Sequence, residues 1–135
     1  MSRNLNFSVS KGIITDDAGN VITTLAFAGN DSRPGVNPNH IHGYNNVAME
    51  SIHFIGPLPR GLYRVGIWGD HPPVGPNSAP LIWIGGPNDF GRSDFFIHGP
   101  ATYDVLNSSE GCIVVPHFDR LKIIVLNPST ITVTD

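Results

Sequence analysis

Cys112 is the one cysteine in a chain of 135 residues, and it lies in SSEGCIVVP (residues 108–116) between a glycine and the apolar run Ile113, Val114, Val115. A thiol with an ordinary pKa of about 8.5 is mostly protonated at neutral pH, so a nucleophilic cysteine needs a base beside it. Histidine is the side chain best suited to take that proton. Six are available: His40, His42, His53, His71, His98 and His117. His98 closes the apolar run DFFI and is followed by Gly99, so it stands where a strand opens into a loop. The connection from residue 99 to residue 111 is ample to bring the two strand ends side by side. This places a candidate base and a candidate nucleophile at facing strand ends under one shared loop.

The glycines add to the pairing. Gly111, just before the thiol, allows a sharp turn and close approach of a substrate carbonyl. The backbone N–H groups of Gly111 and Cys112 are then candidates for an oxyanion hole. Ser108 and Ser109 can hydrogen-bond locally and hold the turn. On residue chemistry alone this is a Cys–His acyl-transfer site. A lone buried cysteine, however, is more often a small core hydrophobe, and His98 could be a satisfied strand-end histidine.

The elements that must carry these groups read as strands. LNFSVS alternates apolar Leu5, Phe7 and Val9 with polar neighbours. GIIT and VITTLAFAG flank the turn cluster DDAGN and predict a hairpin. Residues 29–46 are dense in Gly, Pro, Asn and Asp and read as a long loop. LYRVGIW is a further strand; GDHPPVGPNSAP reads as a second loop ahead of the apolar run LIWIGG. DFFIH, CIVV and TITVT complete the set, while PHFDRLKIIVL predicts no more than one or two helical turns because of its β-branched content. The fold class expected is mainly β: one domain over residues 1–135, a sandwich or barrel of short strands with long loops and at most one or two short helices.

Composition excludes several function classes. Only 14% of residues are charged, the formal net charge is −3, and the eight Lys and Arg are scattered. No nucleic-acid partner is expected, because phosphate neutralisation needs clustered basic residues. No window approaches the roughly 18 consecutive apolar residues of a membrane span, so no membrane insertion is expected. One cysteine makes no intramolecular disulfide. His40 and His42 could share a strand face, but no further ligand completes a metal set, so neither metal nor cofactor is expected. The N-terminal MSRNLNFSVSKG lacks the apolar core of a secretory signal. The expectation is a protein made in the cytoplasm without one.

His98-Gly99 followed by Ser109-x-Gly111-Cys112-Ile113 resembles the H-G … [ST]-x-G-C signature of the L,D-transpeptidases, the YkuD-type cysteine enzymes of peptidoglycan. GPLPRGLYRVG is similar to the proline-glycine segment before a core strand in that family. With Asn45-Asn46 and the short, loop-rich chain, the pattern resembles the small branch used as type VI secretion effectors. The resemblance implies a thioester mechanism on peptidoglycan tetrapeptide stems, with Cys112 as nucleophile and His98 as base, its imidazole oriented by the Gly99 carbonyl. The oxyanion would be held by the N–H groups of Gly111 and Cys112. The effector branch implies an antibacterial role, delivery to a target periplasm by a secretion carrier, and an immunity protein as partner. Housekeeping members often carry an arginine two residues after the cysteine, where this chain has Val114. Arg92, Arg60 and Arg120 are then candidates to hold the substrate carboxylate. His42, in a second IHG triplet, and Trp83 are candidates to line the groove. Asp94, Asp104 and Asp119 are further candidates to orient His98. Two alternatives stay open on sequence: another cell-wall cysteine amidase or endopeptidase, and a non-catalytic β-sandwich binding module with Cys112 buried.

Overall fold

The structure is a computed structural model, and it describes residues 3–30, 43–72, 74–100 and 111–135. Ten strands run along the chain: β1 Asn4–Ser8, β2 Ile13–Thr15, β3 Val21–Thr23, β4 Phe27–Ala28, β5 Gly61–Val65, β6 Gly69–His71, β7 Gly75–Gly85, β8 Phe95–His98, β9 Ile113–Val114 and β10 Thr130–Thr134. A 3-10 turn at Val47–Met49 and one helix, α1 (His117–Leu126), complete the regular elements among the described residues. The strands form one mixed sheet in the order β3-β2-β1-β10-β5-β7-β8-β9-β4, with β6 paired to β7 off this path. The mainly β architecture read from the sequence is what is seen.

Alternation decides which side of each strand is buried. In β1, Leu5 and Phe7 are covered while Asn4, Asn6 and Ser8 are half-exposed. In β10, Ile131 and Val133 do the same. Residues from both ends of the sheet path, Leu5, Phe7 and Ile14 at one and Ile97 and Ile113 at the other, enter the same buried cluster. The sheet therefore wraps around a shared core. Tyr63 of β5, only 1% exposed, is the largest fully buried side chain, and it donates its hydroxyl to the Pro59 carbonyl at 2.6 Å. That bond satisfies the one polar atom such a ring brings into a core, and burial pushes the phenol's pKa far up.

Two segments depart from the sequence reading. The stretch read as a loop at GDHPPVGPNSAP carries a hairpin: β6 pairs antiparallel with the start of β7, Gly69 opposite Ser78 and His71 opposite Gly75, with a register shift between them. Pro and Gly obscure the period-2 alternation there, so only the pairing reveals the strands. PHFDRLKIIVL carries a full ten-residue helix, His117–Leu126, rather than a turn or two. Asp119 lies in its first turn, where the helix dipole favours a carboxylate. Asn127 ends it in the left-handed region, its N–H reaching the Ile123 and Ile124 carbonyls. Arg120 and Ile123 bury one side of the helix, and tertiary packing outweighs the weak helix preference of Ile and Val. Among the described residues no helix is long and apolar enough to cross a membrane.

Candidate active site

The candidate nucleophile and base stand on neighbouring parallel strands. β8 pairs with β9 in the register Ile97↔Ile113 and His98↔Val114. Continuing that register back by one residue sets Cys112 beside Phe96. Side chains two apart on a strand share a face, so Cys112, Phe96 and His98 all project from one side of the sheet. Phe95 and Ile97, which alternate with them, enter the core from the other side. A two-residue offset across adjacent strands separates the His98 and Cys112 α-carbons by about 8 Å, a span an imidazole and a thiol can close between them.

This corrects one geometric expectation. The two groups do not sit at facing strand ends: His98 ends β8 while Cys112 precedes β9, and both strands run the same way. A parallel pair requires a crossover of about a dozen residues, which the chain between residues 98 and 112 supplies. β9 is also held from its far side by β4, with Phe27 opposite Val114 and Ala28 opposite Ile113. The thiol is thus launched from an interior strand.

The surroundings of each group are specific. The Phe96 N–H donates to Cys112 Sγ at 3.3 Å. Cys112 as a residue is half-exposed. His98 is 5% exposed, and its Nδ1 lies 2.7 Å from the Gly99 carbonyl oxygen. A carbonyl can only accept, so Nδ1 carries the hydrogen and Nε2 of the neutral ring keeps the lone pair. Burial pushes the His98 pKa down; the Gly99 bond pulls it up, and the Arg120 charge pushes it down further. The imidazole is therefore neutral at pH 7, the form a general base requires.

The remaining candidates separate. Gly111 is buried with φ +130°, in a region that side chains rarely adopt, and its carbonyl accepts the Leu58 N–H at 2.9 Å. Arg92 is turned inward. Its Nη1 donates to the carbonyls of Glu50 and Pro57 at 2.6 and 2.7 Å, its Nη2 to that of Gly56 at 3.1 Å, and the guanidinium lies 5.2 Å from the Phe95 ring centre. Arg60 is paired with Glu50 at 2.8 Å. Arg120 is buried and donates to the carbonyls of Pro76 and Asn77 at 3.2 and 3.1 Å. Trp83 is opposite Tyr63 in the β5–β7 register and packs edge-on against that ring at 5.4 Å. It shares a face with Leu81, which pairs with Phe95, so it stands on the side of the sheet away from Cys112 and His98. Val114 is fully buried between β8 and β4. Asp119 pairs with Lys122 at 3.2 Å, and Asp94 is exposed. Ser109, His42 and Asp104 lie outside the described residues.

The sequence reading missed Phe96, which supplies the N–H at the sulfur and whose ring lies tilted at 5.6 Å from that of His71 of β6. Its signal was present: in DFFIH, residues 96 and 98 must share a strand face. An open apolar groove between β3 and α1, lined by Val21, Phe118, Leu121 and Val125 among others, has Lys122 as its one polar side chain and no cysteine, histidine, serine or carboxylate.

A crystal structure of an L,D-transpeptidase from Xylanimonas cellulosilytica is similar to this chain, with a TM-score of 0.55 and 14% identity. The fold is L,D-transpeptidase-like. The likeness covers 98% of this chain and 60% of that one, so this chain spans about three fifths of the solved chain it matches. No family model and no curated protein matches the sequence.

Proposed function

We propose that the chain is a cysteine acyltransferase acting on peptidoglycan tetrapeptide stems. The observation that supports this most directly is the placement of the His98 ring, which donates from Nδ1 to Gly99 and shares a sheet face with Cys112. The L,D-transpeptidase-like fold supports the substrate class. In the first half-reaction His98 Nε2 takes the Cys112 proton as Sγ attacks the carbonyl carbon that links diaminopimelate to the terminal D-Ala. The negative charge that develops on the carbonyl oxygen is met by the backbone amides of Gly111 and Cys112. The C–N bond breaks, His98 returns the proton to the leaving amine of D-Ala, and a thioester remains. An amine of a second stem, a free D-amino acid or water then attacks the thioester, giving a cross-link, an exchanged stem or a trimmed one.

Incubation with a disaccharide tetrapeptide, read by mass spectrometry, tests this. Loss or exchange of D-Ala is expected from the parent chain and not from Cys112→Ala. A Cys112→Ala variant that still turns the stem over refutes the assignment; cleavage inside the stem points to an amidase or endopeptidase instead.

The effector role is proposed on the sequence resemblance. In it, a secretion carrier delivers the protein to the periplasm of a target bacterium, and an immunity protein guards the producer. Expression directed to the periplasm is expected to arrest growth, and expression in the cytosol is not. Equal toxicity in both compartments refutes it.

A further inference from the structure

Each glycine of the two motifs carries an arginine against its α-carbon. A β-carbon built on Gly99 would stand 2.6 Å from Arg120 Nη2, 2.8 Å from Cζ and 3.0 Å from Nη1. Three atoms of the guanidinium lie this close, so the group packs directly against the glycine. A β-carbon on Gly111 would stand 2.6 Å from Arg92 Nη2 and 2.7 Å from Phe95 Cε1. Neither arginine is a neighbour in sequence: Arg92 precedes β8, and Arg120 rises from the first turn of α1.

We propose that Arg92 and Arg120 are the positioning residues of the site, each clamping one motif turn so that Cys112 and His98 are presented at a fixed offset. This rests on the catalytic reading above. The clamp on the cysteine side closes through one loop. Arg92 gathers the carbonyls of Glu50, Gly56 and Pro57, and the next residue, Leu58, donates its N–H to the Gly111 carbonyl. Loop, guanidinium and glycine thus form a closed set of contacts just before the thiol. On the histidine side Arg120 ties α1 to the start of β7 through Pro76 and Asn77, and it presses on the residue whose carbonyl holds His98 Nδ1. The His98 carbonyl in turn accepts the Val115 N–H at 2.9 Å. The backbone on both sides of the ring is therefore fixed.

The same placement puts a permanent positive charge behind each reacting group. Among the described residues the charge that acts on the His98 ring is Arg120 from α1, and Cys112, ahead of β9, shares its sheet face. The stretch of β7 that faces β8 there, Ser78 and Ala79, carries none. Arg120 opposes protonation of His98, and the Cys112 thiolate is among the groups that favour the charged form of Arg92.

Titration of the His98 ring by NMR on the whole chain tests the Arg120 half, together with the pH dependence of kcat and KM on a disaccharide tetrapeptide. Arg120→Met is expected to move the His98 midpoint upward and to carry the acid limb of kcat/KM with it. A misplacement of about 1 Å can cost roughly a hundredfold, so kcat is expected to fall about ten- to a hundredfold with KM within about twofold. Arg120→Lys keeps the charge but not the guanidinium contact, and is expected to restore the midpoint without restoring kcat. If Arg120→Met does not fold, Gly99→Ala keeps the charge, displaces the guanidinium and is expected to lower kcat alike. An unmoved midpoint and unchanged kcat in the folded variants overturn this half.

For Arg92, the rate at which iodoacetamide alkylates Cys112 is followed against pH. One ammonium cannot serve three carbonyls, so Arg92→Lys is expected to alkylate several-fold more slowly at neutral pH while remaining folded. A rate equal to that of the parent overturns this half. Titration and alkylation need no turnover. A chain inactive on stem peptides but showing both shifts would refute the catalytic reading and leave the two clamps standing.

Discussion

Arg92 commits its guanidinium to three carbonyls of a single loop and rests on the Phe95 ring, whereas Arg120 reaches two carbonyls at the start of β7 and keeps a buried Nε–H without a partner among the described residues. Both are nearly as buried, at 6% and 8% exposed, and burial pushes both pKa values down. Their surroundings differ in kind. Arg92 is held as a structural bolt, with three hydrogen bonds to loop carbonyls and an aromatic ring beneath it. Arg120 sits in a looser seat, one polar atom short, at the N-terminal end of a helix. The cysteine side of the site should therefore show its losses mainly in stability, and the histidine side mainly in geometry and charge.

The sharpest way to break that contrast is to add one methyl group to each glycine. Gly111→Ala meets a backbone at φ +130° and two packed groups, one of them the Phe95 ring. Backbone strain of about 1–3 kcal/mol adds to overpacking of about 1–3 kcal/mol. Against a total stability of about 5–15 kcal/mol, thermal melting should fall by about 10 °C or more. Gly99→Ala meets only the far end of a flexible side chain. It should cost about 1 kcal/mol and act mainly on turnover. Equal losses of stability at the two positions would erase the distinction.

The arginines themselves give the next largest difference. Removing a donor from a buried carbonyl costs about 1–3 kcal/mol. Arg92→Met removes donors from three and should destabilise by about 3–5 kcal/mol in a urea titration. Arg120→Met removes donors from two, but it also removes an Nε–H that is buried without a partner, so about 1–2 kcal/mol is expected. A greater loss for Arg120 than for Arg92 would reverse the roles assigned here.

The part of this that was legible in the sequence is the part that local chemistry writes down. His98-Gly99 and Gly111-Cys112 stand out because a base, a nucleophile and two permissive glycines must be spelled in the chain itself. The strands followed from alternation wherever apolar and polar residues take turns, as in β1 and β10. The β6–β7 hairpin did not, because Pro72, Gly75 and Pro76 interrupt that alternation. The parallel sense of β8 and β9 was equally hidden, since a connection of that length permits either direction. α1 was under-read because its stability comes from burying Arg120 and Ile123 rather than from propensity. Arg92 and Arg120 could be named as cations, but nothing within a few residues of either says that a glycine 19 or 21 positions away will lie beneath it. That is long-range information, and only the fold holds it.

The smallest effect expected is also the one that most cleanly separates charge from packing. Burial first, then Arg120, holds the folded pKa of His98 below its ordinary value of about 6.5, despite the opposing pull of the Gly99 bond. Between the folded pKa and 6.5 the unfolded chain binds more protons at this residue than the folded one does, so stability there rises with pH. The contribution is fully present above about 6.5 and is lost as pH falls through that window toward the folded pKa. One histidine can change the slope by at most about 1.4 kcal/mol per pH unit. The urea midpoint of the parent chain should thus drop between pH 7 and pH 5, and His98→Gln should flatten that drop. Asp16, whose carboxylate is favoured by the Asn20 backbone bond, then the Asn20 side chain, titrates below this window and does not confuse it. Arg120→Met narrows the gap between folded and unfolded pKa values without closing it, because burial remains. Its slope should fall between those of the parent and His98→Gln. A slope equal to the parent's would mean that Arg120 acts on His98 by contact alone; Arg92→Lys, with its charge on the cysteine side, should leave this slope unchanged.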